Sequence, residues 1–265
     1  MMNRDERESR RDSFLGDADD YAAARPGYPT ALLETALELG GVAPGAPLLE
    51  VGCGTGEATE WFARRGFPVV ALDRSADMAR LAADRLAAFS SVEVRCQDFE
   101  LDPPQGQFAG LISATAYHWL DPETRVERCA ESLQVGGALI LLWHTHPMPY
   151  KGYFERSQSI YRRIMPGWTP PSTPSKSEQR IAAVLDELGE AGLFQDLERR
   201  SVEWSRTYSR DLYLRLLSTY SDHRSLSSGA LDELLAEVGA LIDREFSGVV
   251  ERPYCTELIV GRRSP

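Results

Sequence analysis

The stretch LLEVGCGTGEATEWF, Leu48 to Phe62, constrains the fold more than any other part of this chain. A short, mainly apolar run ends in glycines at alternate positions, Gly52, Gly54 and Gly56, and a helical pattern follows at once. A buried strand that feeds a helix through glycines is a nucleotide-binding arrangement. Glycine tolerates positive φ and, lacking Cβ, lets a ligand approach the backbone, while the first amides of the helix face whatever binds there. The next apolar run, VVALD, ends in Asp73, 21 residues after Gly52. A carboxylate at that place can accept hydrogen bonds from both hydroxyls of a ribose.

The first half of the chain repeats the alternation of strand and helix. Leu48–Val51, Val69–Leu72, Val92–Cys96, Phe108–Ser113 and Ala138–Trp143 read as strands. Met78, Leu81, Ala82, Leu86 and Phe89 keep helical spacing between two of them, and an amphipathic stretch, Tyr28–Leu39, precedes the first. Asp121-Pro122-Glu123 reads as an N-cap with proline at the first helical position. Such alternation predicts a parallel sheet wrapped by helices. After Trp143 the composition turns to proline and aromatics. A helix is predicted at Tyr153–Ile164, followed by a proline-rich loop, and Ser175 with Glu178 forms a capping-box signature before the next helix. A strand at Glu198–Arg206, helices at Ser209–Tyr220 and Ser228–Phe246, and a last strand at Tyr254–Gly261 complete the reading, the two late helices being an insertion between the last two strands.

Charge and composition remove several functions. The net charge is −11 and there is no lysine or arginine cluster beyond short pairs, so nucleic-acid binding by phosphate neutralisation has no basic face to use. No apolar run approaches the ~18 residues of a membrane span, and the charged first dozen residues lack the apolar core of a secretory signal. The cysteines at 53, 96, 129 and 255 have no metal-ligand spacing and read as reduced thiols of a cytoplasmic protein. These features point to a small-molecule partner and leave oligomeric state open.

The glycines also discriminate between ligands. A dinucleotide fingerprint is G-x-G-x-x-G; here the pattern is G-x-G-x-G and the third position is Glu57. An acidic side chain at a helix N-terminus repels a pyrophosphate, and Glu50 before the turn adds negative potential suited to a cation. Both favour S-adenosylmethionine (SAM), which carries a sulfonium and an ammonium, over NAD or FAD.

Taken with ALDRSADM and VRCQDFE, the motif EVGCGTG resembles the class I SAM-dependent methyltransferases, above all the small-molecule branch of the ubiquinone/menaquinone and trans-aconitate enzymes. The resemblance covers about residues 20–143. It implies an enzyme with an α/β, Rossmann-like fold: a seven-stranded, mostly parallel sheet with helices on both faces, its last strand antiparallel, and helical insertions in the C-terminal half. It implies that Gly52 and Gly54 approach the methionine moiety and that Asp73 binds the ribose hydroxyls. Arg74 and Met78 would flank the adenine, Asp98 would accept from its amino group, and Phe99 would lie beside the ring. Met78 also fits the apolar face of its helix. ADDYAAARPGYP resembles the segment that folds over the cofactor, which would put Tyr21 and Arg25 near the methionine carboxylate.

At the reacting end, ATAYHWLDP follows the fourth strand, and in an open α/β sheet the ligand crevice lies beyond the carboxyl ends of the strands. That position suits His118 to a methyl acceptor, as general base, as orienting contact or as a structural histidine, with Tyr117 and Trp119 beside it. His144 and His146 follow the fifth strand, but no carboxylate at a characteristic spacing completes a metal set, so no metal is expected. Among the aromatics after Pro147, Tyr153 and Trp168, with His144, are candidates for lining an acceptor site; packing the helix onto the sheet is the competing role. The expected organisation is a tail over 1–18 and one SAM-binding domain over 19–265, with 147–176 and 207–248 as helical lid or insertion segments. The expected function is methyl transfer from SAM to a small-molecule acceptor at O, N or C. Its rivals are a SAM-binding protein that catalyses cyclisation, an NAD(P)-dependent oxidoreductase, and a nonenzymatic docking protein.

Overall fold

The computed structural model describes residues 23–104, 107–165, 167–168 and 175–265. Contacts divide the chain into two compact units. The described residues of 27–145, 180–202 and 256–265 form a sheet unit; those of 23–26, 146–179 and 203–255 form a helical unit.

The strands are β1 (Leu48–Val51), β2 (Val69–Asp73), β3 (Val92–Cys96), β4 (Phe108–Ala114), β5 (Leu133–Thr145), β6 (Phe194–Ser209) and β7 (Val249–Arg263). They form one seven-stranded sheet in the order β3-β2-β1-β4-β5-β7-β6, mostly parallel with antiparallel C-terminal strands. The register pairs Leu48 with Val69 and with Gly110, and Asp73 with Cys96. The strand order reverses between β1 and β4, which is where an open sheet of this kind leaves a crevice.

The central strands are apolar nearly throughout because both sheet faces are covered. Side chains of β5 alternate between two cores: Leu139, Leu141 and Trp143 in one, Ala138, Ile140 and Leu142 in the other. The helices divide in the same way. α1 (Thr30–Gly40), α2 (Glu57–Ala63) and α3 (Ala76–Leu86) contribute Leu33, Phe62 and Leu86 to the second core. α4 (Arg125–Ser132) and α6 (Lys176–Ala191) contribute Val126 and Val184 to the first.

The helical unit has a core of its own, rich in tyrosine. It is built from α5 (Tyr153–Ile164), α7 (Arg210–Ser218), the short α8 (Ser221–Arg224) and α9 (Ser228–Phe246), together with parts of β6 and β7. The 147–176 and 207–248 segments fall within this unit. α6 starts with the capping box read from the sequence: the Ser175 amide donates to Glu178 Oε2 at 2.6 Å, and the Glu178 amide donates to Ser175 Oγ at 3.2 Å. One helix start differs. Asp121 Oδ1 accepts from the Glu123 amide at 3.1 Å, closing a local turn, and α4 begins only at Arg125. An aspartate that bonds its own backbone two residues on favours the turn over the cap. Among the described residues, no helix is long and apolar enough to cross a membrane.

Candidate functional site

The glycine turn is built against its neighbours. Gly52 has φ +74°, and a Cβ there would lie 2.4 Å from Cβ of Ala116, a methyl with no rotamer to move to. The loop after β4 therefore closes on the end of β1 only because position 52 has no side chain. The Gly54 amide donates to Asp73 Oδ2 at 2.9 Å, while Oδ1 accepts from the Ser75 amide at 2.9 Å. Asp73 thus clamps the turn to the end of β2. A carboxylate has about four lone-pair sites, and this clamp takes one on each oxygen.

Glu50 sits behind the turn, 1% exposed, and accepts a hydrogen bond from Thr59 Oγ1. Burial, reinforced by Glu57 and Asp73, pushes its carboxyl up to about 8. Glu50 is therefore mostly protonated at neutral pH. The negative charge expected of Glu57 is paired within the protein. Its carboxylate takes the Thr55 hydroxyl at 2.7 Å and pairs with Arg85, which also reaches Glu60 at 2.8 Å. With Glu57 compensated, repulsion of a pyrophosphate no longer distinguishes the ligand.

At the ends of β2 and β3, Arg74 Nε lies 3.8 Å from Asp98 Oδ2, and Asp98 Oδ1 accepts from the Glu100 amide at 2.9 Å. Asp73 and Asp98 thus lie at the ends of the adjacent strands β2 and β3. Met78 and Phe99 are buried, Phe99 among Leu49, Val51 and Leu72 of the first core. Arg25 belongs to the helical unit: Nε and NH2 donate to the side chain and carbonyl of Thr219, each at 3.0 Å, and the guanidinium lies 4.4 Å from the Tyr220 ring. Tyr21 lies outside the described residues.

The loop after β4 carries His118 on a single turn of 3-10 helix, Tyr117–Trp119. Trp143 Nε1 on β5 donates to His118 Nδ1 at 3.4 Å. An indole N–H only donates, so Nδ1 is the bare nitrogen and the ring proton sits on Nε2. Burial, with Arg180 and Arg125 adding positive charge, pushes the imidazole down to about 3. His118 is a neutral donor. Tyr117 is fully buried between the edge of Trp143 and the guanidinium of Arg125, 4.5 Å from its ring, so packing takes its aromatic surface. Trp119 stacks at a tilt against His118, with ring centroids 4.6 Å apart.

His144 stacks on Tyr28 at 4.6 Å and shares a hydrogen bond with Thr256 Oγ1 at 2.9 Å. Tyr28 was read only as the start of a helix. Its hydroxyl meets Thr115 Oγ1 at 2.9 Å, and Thr115 is a non-glycine residue at φ +61°. Strain of that kind persists where its surroundings hold it; here Tyr28 pins the loop that carries His118. The sequence signal was the ARPGYP segment, in which the tyrosine stands ahead of its helix. In the helical unit Tyr153 is buried edge-on to Tyr213 and Phe246. Trp168 stacks on Tyr161 at 4.7 Å.

The residues present suit SAM. The glycine turn, the two strand-end carboxylates and the buried Glu50 stand together at the ends of β1, β2 and β3. Residues 48–137 match the family model described as a methyltransferase domain. An uncharacterized methyltransferase of Mycobacterium tuberculosis is 31% identical over 216 residues, 80% of this chain and 79% of the relative. The trans-aconitate 2-methyltransferase of Afipia carboxidovorans is 35% identical over 96 residues, 35% of this chain and 36% of that protein. Among solved structures, a cyclopropane synthase from Mycobacterium tuberculosis shares the fold with a TM-score of 0.54 at 18% identity, covering 96% of this chain and 98% of that one. The chain belongs to the class I SAM-dependent methyltransferases.

Proposed function

We propose that this enzyme methylates a small-molecule acceptor, and that His118 orients the acceptor through Nε2–H without taking a proton from it. The relative named for trans-aconitate supports a small acceptor, and the net charge of −11 disfavours a nucleic acid. SAM, when bound, supplies an electrophilic methyl group, so the protein's task is chiefly positioning and exclusion of water. Gly52 and Gly54 would admit the methionine moiety, Asp73 the ribose, and Asp98 with Arg74 the adenine. Glu50 would ionise against the cationic centre. The Trp143–His118 hydrogen bond carries the reading of His118, because it fixes which nitrogen holds the proton.

The cofactor half is tested by calorimetric titration of the full chain with SAM and S-adenosylhomocysteine beside Asp73→Ala. Binding in the micromolar range, weakened at least tenfold in the variant, is the expected result. Undiminished affinity in Asp73→Ala would remove Asp73 from the ribose site.

A further inference from the structure

Among the described residues, three that are not glycine have a positive φ: Thr115, Asp196 and Ser247. Aspartate adopts that conformation more readily than most residues, and Ser247 is the C-cap of α9. Thr115 is different. A β-branched residue in the left-handed region is a genuine outlier, and this one stands where the chain leaves β4. Its amide donates to the Leu142 carbonyl at 2.7 Å, one residue beyond the end of β4, and its φ of +61° then turns the chain. The next residue, Ala116, is the one whose methyl meets Gly52, and the single turn that carries His118 follows. The conformation of one threonine therefore sets how the His118 loop lies on the glycine turn.

Thr115 is held by Tyr28. The two hydroxyls share a hydrogen bond of 2.9 Å across 87 residues of sequence. The tyrosine ring is itself fixed. It lies 16° from parallel to the His144 ring at 4.6 Å, and His144 Nδ1 shares a hydrogen bond with the fully buried Thr256. Tyr28, Thr115, His144 and Thr256 all belong to the sheet unit, as do Gly52 and His118. The stack on His144 uses only the ring, and a phenylalanine would serve it equally. The hydroxyl is the part that reaches the strained residue.

We propose that Tyr28 is a positioning residue: its hydroxyl holds Thr115 in the left-handed conformation and thereby holds the His118 loop against the glycine turn. Binding of the amino-acid half of the cofactor, which Gly52 and Gly54 would admit, then depends on Tyr28. Binding of the adenosine half, which Asp73 and Asp98 would hold, does not. This consequence for the cofactor rests on the methyl-transfer reading of the glycine turn; the hold of Tyr28 on the loop does not.

The test uses the full chain and two readouts. One is calorimetry with S-adenosylhomocysteine and with methylthioadenosine, which lacks the amino-acid part. The other is the indole N–H resonance of Trp143 in isotope-labelled, ligand-free protein, assigned by its loss in Trp143→Phe, since Trp143 Nε1 donates to His118 Nδ1. Tyr28→Phe should weaken S-adenosylhomocysteine about tenfold, leave methylthioadenosine within about twofold, and move the Trp143 resonance. Thr115→Val, which keeps the shape and loses the hydroxyl, should do the same. Glycine takes the left-handed conformation unaided, so Thr115→Gly added to Tyr28→Phe should restore S-adenosylhomocysteine binding to within about threefold of the parent. Equal weakening of both ligands would make Tyr28 a general support of the fold and overturn the proposal. So would an unmoved Trp143 resonance or undiminished S-adenosylhomocysteine affinity in Tyr28→Phe, or a double variant no better than Tyr28→Phe alone. Methylthioadenosine binding reports that a variant is folded, and Thr115→Val carries the test if Tyr28→Phe is not. Failure of the parent to bind either ligand would overturn the cofactor reading instead, and the Trp143 resonance would then decide the hold of Tyr28 on the loop.

Discussion

Glu50 and His118 are both ionisable groups that burial holds neutral, and they act in opposite senses. For Glu50 the folded-state carboxyl titrates at about 8 against an ordinary 4.5. Stability that depends on its proton is fully present below 4.5 and is lost as pH rises through 8, at about 1.4 kcal/mol per unit of pKa difference. Glu50→Gln keeps the acceptor for Thr59 and removes the ionisation. Its melting temperature should exceed that of the parent increasingly from pH 5 to 8.5, by an amount equivalent to a few kcal/mol at the upper end, while SAM binding weakens. A parallel pH dependence in the two proteins would mean that Glu50 is ionised in the free enzyme. His118, pushed down to about 3, does not change charge between pH 5 and 9. His118→Gln, which can still donate from its amide, should retain kcat within about tenfold, whereas His118→Ala should lose one to two orders of magnitude, the range of a lost positioning contact. A kcat/KM limb near 6.5 that vanishes in His118→Gln would restore the general-base role. Neither protonation state was legible in the sequence, where Glu50 looked like a plain negative charge. Tautomer and ionisation depend on Trp143, Thr59 and depth of burial, which the chain brings together only on folding.

At the scale of elements, the sequence was informative wherever a local rule and burial agree. β1, β3 and α5 run over the residues read from periodicity, and the Ser175–Glu178 box closes as its spacing required. The late strands run further than their apolar patterns. β6 extends over Phe194–Ser209 with most of its residues exposed or charged, because an edge strand is held by backbone hydrogen bonds on one side and needs little apolar surface. α8, four residues long, is too short to show a helical period. Asp121 misled because the same residue type that caps a helix also closes a turn on its own backbone. Of the site, the glycines, Asp73 and Asp98 were legible as motifs. Tyr28 and Thr115 were not, since each acquires its role from the other, 87 residues away in sequence.

The whole molecule contains hydrophobic cores that share no residue between its two units: the cores on the sheet faces belong to one, the tyrosine-rich core to the other. Each unit is nevertheless assembled from separate stretches of sequence, β6 passing into the helical unit at Glu203 and β7 out of it at Thr256. Separate cores predict separate opening. Leu234, on α9, is fully buried in the helical core, and its truncation to alanine removes about 2–5 kcal/mol of local packing. Hydrogen exchange read by mass spectrometry should then accelerate in α5, α7 and α9 while β4 and β5 keep their protection, since amides exchange through the least stable unit that contains them. Affinity for SAM should stay within about threefold, because the glycine turn, Asp73 and Asp98 are all supported by the sheet cores. Uniform acceleration across β4, β5 and the helices would show instead that the chain opens as one cooperative body.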